Sequence, residues 1–270
     1  MPIEDSTSSE RTAARQSGER PSMRASGNTI LITGAGSGIG RELAWRFNAL
    51  GNTVIVTGRR PRALQDTIAG RKNMYAMELD VDDPQAIRTF AARVAAEHPS
   101  LNVLINNAGI MRYEDLRKTG NLHDAEAQVT TNLLGPIRLT SALIDHLVRQ
   151  PNPVVVNVTS GLAFVPRADA ATYSTTKAGI HVYTLALREQ LKDSVKVVEL
   201  IPPAVQTELT PGQSTRENYM PINAFMDEVM ALFGQQPVPD EILVQRAGFQ
   251  RWAERDGRFE EAFTRLNPPQ

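Results

Sequence analysis

The segment Tyr173-Ser174-Thr175-Thr176-Lys177 sets a phenol and an ammonium four residues apart. On a helix such a pair shares one face, so both groups can point into one cleft. A tyrosine with a pKa near 10 is a poor base at neutrality, and lowering it by about three units takes roughly 4 kcal/mol. One cation at ~4 Å in an effective dielectric of 20 supplies about that much. Tyr173 is therefore a candidate proton donor and acceptor, with Lys177 tuning it, although the same spacing also arises by chance. Ser160 follows the apolar run VVVNVT, where its hydroxyl could hold a carbonyl or alkoxide oxygen. A turn serine capping a backbone group is the competing reading, and Thr159 could do the same.

A second constellation is built of glycine. TGAGSGIG (33–40) lies between an apolar run and a helical pattern, with Gly34, Gly38 and Gly40 as the spaced glycines and Ser37 and Ile39 between them. A turn without side chains lets the backbone approach a pyrophosphate, and the following helix offers unpaired N–H groups and a partial positive charge. Such a turn can also be purely structural, and its spacing leaves the nucleotide open. The next strand narrows the choice. An acid about 20 residues on would bind a ribose 2′-hydroxyl, but here the chain reads Thr57-Gly58-Arg59-Arg60-Pro61-Arg62. Arginines can clamp a 2′-phosphate in a bidentate fork. This favours NADP(H), with NAD(H) as the alternative; Arg59 is the chosen phosphate ligand, and the competing reading makes at least one of Arg60 and Arg62 a solvated helix-start residue. Asn107, Ala108 and Gly109 close another apolar run, where a structural turn competes with a ligand contact. Asn132 falls in a helical stretch, where Asn is a poor helix former and would ordinarily face solvent. The four histidines show no metal-ligand spacing, so no metal is assigned.

These groups need a frame, and the pattern from residue 28 onward supplies one. Short apolar runs at 28–33, 53–57, 74–80, 101–106, 153–159 and 195–201 alternate with helical stretches at 41–51, 61–69, 84 onward, 123–149 and 172–192. Asp83 and Pro84 read as an N-cap followed by Pro at the first helical position. Near-continuously apolar strands between helices mean an α/β fold, a doubly wound Rossmann-type parallel sheet of about seven strands with helices on both faces. Ligands of such sheets bind at the strands' carboxyl ends. A short seventh strand is expected near residues 241–244. Residues 208–235 read as a substrate-covering loop, and 248–266 as a helix with an apolar stripe. Residues 28–270 form one domain.

Composition limits the rest. Lys plus Arg is 29 and Asp plus Glu is 30, a net charge of -1, which argues against a nucleic-acid partner. There are no cysteines, so disulfides and thiolate chemistry are out. No apolar run reaches the ~18 residues of a membrane span. A cytoplasmic location is expected. Residues 1–27 balance acids against arginines, with little apolar surface, and read as a disordered extension. Met23 is a plausible native start; an intact residue 1 by mass spectrometry of protein from its natural source would refute that.

Taken together, TGAGSGIG, Asp80-Val81, NNAG, Asn132, Ser160, YSTTK and Thr207 resemble the short-chain dehydrogenase/reductase superfamily over residues 28 to about 210. LINNAGIM, TNLLGPIRL, NVTSGLAFVP and VELIPPAVQTEL further resemble a bacterial branch labelled after D-alanine transfer to teichoic acids. The resemblance implies hydride transfer between a nicotinamide cofactor and a small-molecule carbonyl or alcohol. Tyr173 would be the general acid/base. Lys177 would hold the nicotinamide ribose and lower the tyrosine pKa, and Ser160 would polarise the substrate oxygen. Asn132 would fix a relay water. The glycines would cradle the phosphates, Asp80 and Val81 would contact adenine with Asn107 beside them, and Thr207 would hold the carboxamide or pyrophosphate. A homodimer or homotetramer through the helices at 123–149 and 172–192 is implied. Two departures stand out: Pro202-Pro203-Ala204 replaces the usual Pro-Gly, and Ser37 stands where many NADP-dependent members carry a basic residue. A nucleotide-sensing or scaffold protein on the same fold is the alternative to an enzyme. Substrate specificity has no readable code: Phe164, Met220, Phe225 and Met226 fit either an apolar substrate or lid packing. Arg167 and Arg216 fit either an acidic group or solvated surface.

Overall fold

The computed structural model describes residues 22–120 and 122–268. Seven strands form one parallel sheet: β1 (Thr29–Thr33), β2 (Thr53–Gly58), β3 (Met74–Glu78), β4 (Leu101–Asn106), β5 (Val154–Val158), β6 (Lys196–Ile201) and β7 (Glu241–Leu243), in the order β3-β2-β1-β4-β5-β6-β7. The order reverses at β1 and β4, so a crevice opens there at the strands' carboxyl ends. Helices cover both faces. α1 (Gly38–Ala49), α2 (Pro61–Ile68) and α3 (Pro84–Glu97) follow the first three strands. Asp83 caps α3 through the Gln85 and Ala86 amides, with Pro84 at its first position. α4 (Leu122–Val129) runs through a π-helical turn (Thr130–Leu134) into α5 (Gly135–Leu147). α6 (Ala171–Leu191) is the longest helix, followed by α7 (Ile222–Phe233) and the short α8 (Gly248–Arg251) and α9 (Phe259–Leu266).

The sheet separates two apolar layers. One face packs Ile30, Val54, Val103 and Val156 with Phe47 and Phe233, whose rings meet edge-on at 5.4 Å. The other packs Leu31, Leu104 and Val155 against Phe90, Leu139 and Leu143. None of the described helices is long and apolar enough to cross a membrane.

Three expectations need correction. Met23, read as part of a disordered extension, is 1 % exposed and belongs to the first apolar layer. Gln236 also donates its side-chain amide to the Met23 carbonyl, so residues 22–27 join the folded body. The rest of that expectation, residues 1–21, lies outside the described residues. The loop expected over 208–235 ends early, because Phe225, Met226, Val229 and Phe233 form the buried stripe of α7. Phe225 and Met226 are thus core, with no exposed surface to offer a ligand. The helix expected over 248–266 is two helices, whose Phe249, Phe259, Phe263 and Leu266 pack around Val165, Ala253 and Ala262.

Candidate active site

A cleft of about 440 Å³ runs along the carboxyl edge of the sheet, within the size range of small-molecule sites. One end is the glycine turn. Gly34 holds φ +66, and a Cβ there would sit 2.8 Å from the Ala108 Cα. A Cβ on Gly40 would overlap the Asn107 side-chain amide and lie 2.7 Å from the Gly34 carbonyl. That amide donates to the Thr33 carbonyl at 2.8 Å, while the Asn107 and Ala108 N–H groups donate to the Thr33 hydroxyl at 3.0 Å. Asn107 therefore staples β4 to the turn, and Gly40 is small so that α1 can pass over it. Ser37 precedes α1 without a side-chain cap, and no acid occupies the helix's first turn. Its amides are thus left for an anion.

The rim beyond β2 departs from expectation. Arg59 is 53 % exposed at its side chain and pairs with Asp82 at 3.1 Å. Asp82 is braced by the Thr131 hydroxyl at 2.6 Å. Arg60 is exposed at the start of α2, as the solvated reading has it, and also donates to the Ser37 hydroxyl at 3.1 Å; both arginines line the cleft. Val81 also lines it, whereas the Asp80 carboxylate accepts from the Asp82 amide at 3.0 Å and closes a turn. Arg62 does not line the cleft.

At the other end, Ser160, Tyr173 and Lys177 converge. Tyr173 and Lys177 are 6 % and 5 % exposed on one face of α6, as their spacing predicts. The Lys177 ammonium donates to the Val158 carbonyl at 2.9 Å and sits 5.6 Å from the centre of the Tyr173 ring. Burial pushes the Tyr173 phenol above its usual range, only partly offset by its hydrogen bond with Ser160. The expected lowering by Lys177 is absent from the protein alone, where burial and the Ser160 hydrogen bond set the Tyr173 pKa. Burial pushes Lys177 down to about 8. The Ser160 hydroxyl also accepts from the Leu162 amide at 3.1 Å, so the capping and site readings both hold for it. Thr159, its neighbour, donates to Glu199 instead, at 2.7 Å.

Asn132 does not face solvent. It occupies the π turn, accepts from the Ile110 amide and donates to the Ile110 carbonyl, each at 2.8 Å, and donates to the Thr176 hydroxyl at 3.2 Å. The extra residue of a π turn swings this side chain inward. Its Oδ1 and the Lys177 ammonium flank Gly109: a Cβ there would lie 3.4 and 3.7 Å from them. Asn132 and Lys177 thus share a wall of the site without a direct hydrogen bond.

Residues 28–218 match the family of short chain dehydrogenases, more than half of the chain. The chain belongs to that family. It is 41 % identical over 197 residues to an uncharacterized oxidoreductase, DltE, of Bacillus subtilis, covering 72 % of this chain and 77 % of that one. It is 32 % identical over 177 residues to the NADP-dependent 3-hydroxy acid dehydrogenase YdfG of Escherichia coli K12, covering 64 % and 71 %. Among solved structures, a short-chain dehydrogenase of Sphingobium yanoikuyae in complex with NADPH superposes with a TM-score of 0.73 at 25 % identity, over 90 % of this chain and 98 % of that one. One from Burkholderia cenocepacia in complex with NADP reaches 0.77 at 22 % identity, over 92 % and 100 %, a likeness of fold. This dehydrogenase is thus an NAD(P)-dependent oxidoreductase of the family.

The loop after β6 holds a residue the sequence did not single out. Val205 and Met220 form a bridge at its base. Inside it, the buried Gln213 donates to the Val205 carbonyl at 2.9 Å and the Thr207 hydroxyl at 3.2 Å, and accepts from Thr210 at 2.9 Å. Gln213 lines the cleft and fixes Thr207, whose side chain lies against Gly38. A polar residue in a turn-rich stretch carries no periodic signal, so its burial is visible only in three dimensions. The cofactor fits this frame. The first amides of α1 carry no side-chain cap, and Thr57, a cleft-lining residue, has a buried hydroxyl with no hydrogen-bond partner among the described residues.

Proposed function

We propose that this dehydrogenase reduces a carbonyl compound, or oxidises the matching alcohol, with NADP(H) and with Tyr173 as general acid/base. The observation that carries the reading is the junction of Ser160, Tyr173 and Lys177 in the same cleft as the glycine turn and its arginines. Gly34, Ser37, Gly38, Ile39 and Gly40 would hold the phosphates, Arg59 and Arg60 the 2′-phosphate, Val81 and Asp80 the adenine side. Asn107, Ala108, Gly109 and Thr207 would complete the cradle. The cofactor supplies or accepts hydride when bound. Ser160 binds the substrate oxygen, and Tyr173 gives that oxygen its proton during reduction. A phenol raised by burial is protonated before substrate arrives, which suits the acid of a reduction. Lys177 holds the ribose, and Asn132 keeps the helix turned so that a relay water can stand beside Gly109.

NADP preference is supported by Arg60 at the turn and by the name of the E. coli relative. One observation favours NAD(H) as a second reading: Asp82 already neutralises Arg59. The proposal includes a homodimer or homotetramer in the cytoplasm. Val182 and Leu185, apolar yet 63 % and 43 % exposed on α6, support the pairing of long helices. The test is Tyr173→Phe. NADPH affinity should persist while reduction of every carbonyl substrate falls at least 100-fold, the lower end of a general acid's usual contribution. Unaltered turnover would refute the assigned role.

A further inference from the structure

We propose that Arg216, Tyr113 and Tyr219 form a subsite for a carboxylate on the substrate. The inference rests on the oxidoreductase reading and narrows its substrate class.

The cluster is assembled from the two loops that flank the catalytic tyrosine. Met111, after β4, and Leu209, after β6, belong to one small apolar cluster with Tyr173 and Ala170. Tyr113 lies two residues beyond Met111 on the first loop, and Arg216 follows Leu209 on the second. Ile110 and Leu209 line the cleft, so the polar cluster stands on the two loops that run out from its edge. Arg216 donates to the Tyr219 hydroxyl at 3.0 Å and the Tyr113 hydroxyl at 3.4 Å, and its guanidinium lies 5.3 Å from the Tyr219 ring.

Charge separates Arg216 from its neighbours. Arg167 stacks over Tyr113 at 5.5 Å but is neutralised by a two-pronged pair with Asp169 at 2.9 and 2.6 Å. Arg112 pairs with Asp124 at 3.8 Å. Arg216 makes no ion pair among the described residues. The Glu208 carboxylate, which lines the cleft, accepts from the Ser214 hydroxyl and the Gly212 amide. The result is one uncompensated guanidinium with two phenol hydroxyls accepting from it, each keeping its own proton to donate. One positive charge and neutral donors match a monoanion better than a doubly charged phosphate. Against partial burial, which raises it, the neighbouring Thr210 and Arg216 side chains and the Arg167 and Arg216 charges bring the Tyr113 phenol below its usual pKa. The spot thus favours negative charge.

The test uses the full chain with NADP⁺ and matched pairs of short-chain hydroxy acids and their methyl esters. For at least one pair, kcat/KM should favour the acid by about 10- to 100-fold, the worth of hydrogen bonds to a charged group. Arg216→Gln should bring the acid-to-ester ratio near one with NADPH affinity unchanged, and Arg216→Lys should keep part of the preference. A ratio near one in the wild type, an equal loss for acid and ester in Arg216→Gln, or no turnover of any acid overturns the subsite. Ester turnover in those cases leaves the oxidoreductase reading standing. Failure to bind NADPH at all would remove that reading and the subsite with it.

Discussion

Replacing Lys177 by Met should stabilise the empty protein while abolishing turnover. The ammonium is 5 % exposed and its pKa falls to about 8 by burial. Against the ordinary value of 10.5, that is a drop of about 2.5 units, or about 3.5 kcal/mol at roughly 1.4 kcal/mol per unit. The sign follows from proton counting. Between about 8 and 10.5 the unfolded chain holds more protons than the folded one, so wild-type stability rises with pH through that window. The penalty is full below about 8 and gone above 10.5. Methionine matches the stem without the charge but gives up the hydrogen bond to the Val158 carbonyl, worth about 1.5–3 kcal/mol as a charged donor. The net gain at pH 7 is therefore about 0.5–2 kcal/mol. The pH dependence is the sharper signal: relative to the mutant, the wild type should gain about 2 kcal/mol between pH 7 and 9.5. Urea unfolding of both proteins at the two pH values reads this directly. Parallel stabilities across that window would refute a buried, destabilised ammonium, whatever the mutant does to activity.

Two further outcomes follow from packing. Gly40→Ala sets a methyl group into the Asn107 amide and 2.7 Å from the Gly34 carbonyl, so it should lose about 1–3 kcal/mol of stability and weaken cofactor binding; an unchanged urea midpoint would show that α1 can shift freely. Met23→Ala should cost about 2–3 kcal/mol because the side chain is part of the first apolar layer; no change in the midpoint would mean that residues 22–27 contribute nothing to the fold.

The frame was legible because its signals are local. Apolar runs bounded by turns marked the six longer strands to within two residues, and Asp83-Pro84 marked a helix start through capping chemistry alone. Tyr173 and Lys177 were legible for the same reason, since helical spacing places them on one face. What escaped depends on neighbours distant in sequence. Arg60 and Arg59 are indistinguishable in the chain, and only the positions of Ser37 and Asp82 decide which guanidinium stands at the turn. Asn132 faces inward because a π turn adds a residue, and Ile110 and Thr176 take its amide. Gln213 is buried by a loop closed through Val205 and Met220, a bridge with no periodic trace. In the sequence Phe225 and Met226 fit either an apolar substrate or lid packing; only the fold joins them to Val229 and Phe233 as the buried stripe of α7.

The central claim is that the glycine turn and its two arginines hold NADP(H) beside Tyr173. Calorimetric titration of the purified protein with NADPH and NADH, repeated on Arg59→Asp and Arg60→Asp, tests it most directly. The account predicts NADPH binding at least tenfold tighter than NADH, with both substitutions eroding the difference and Arg60→Asp eroding it more, because Asp82 already occupies Arg59. Binding of neither nucleotide would contradict the claim at its base.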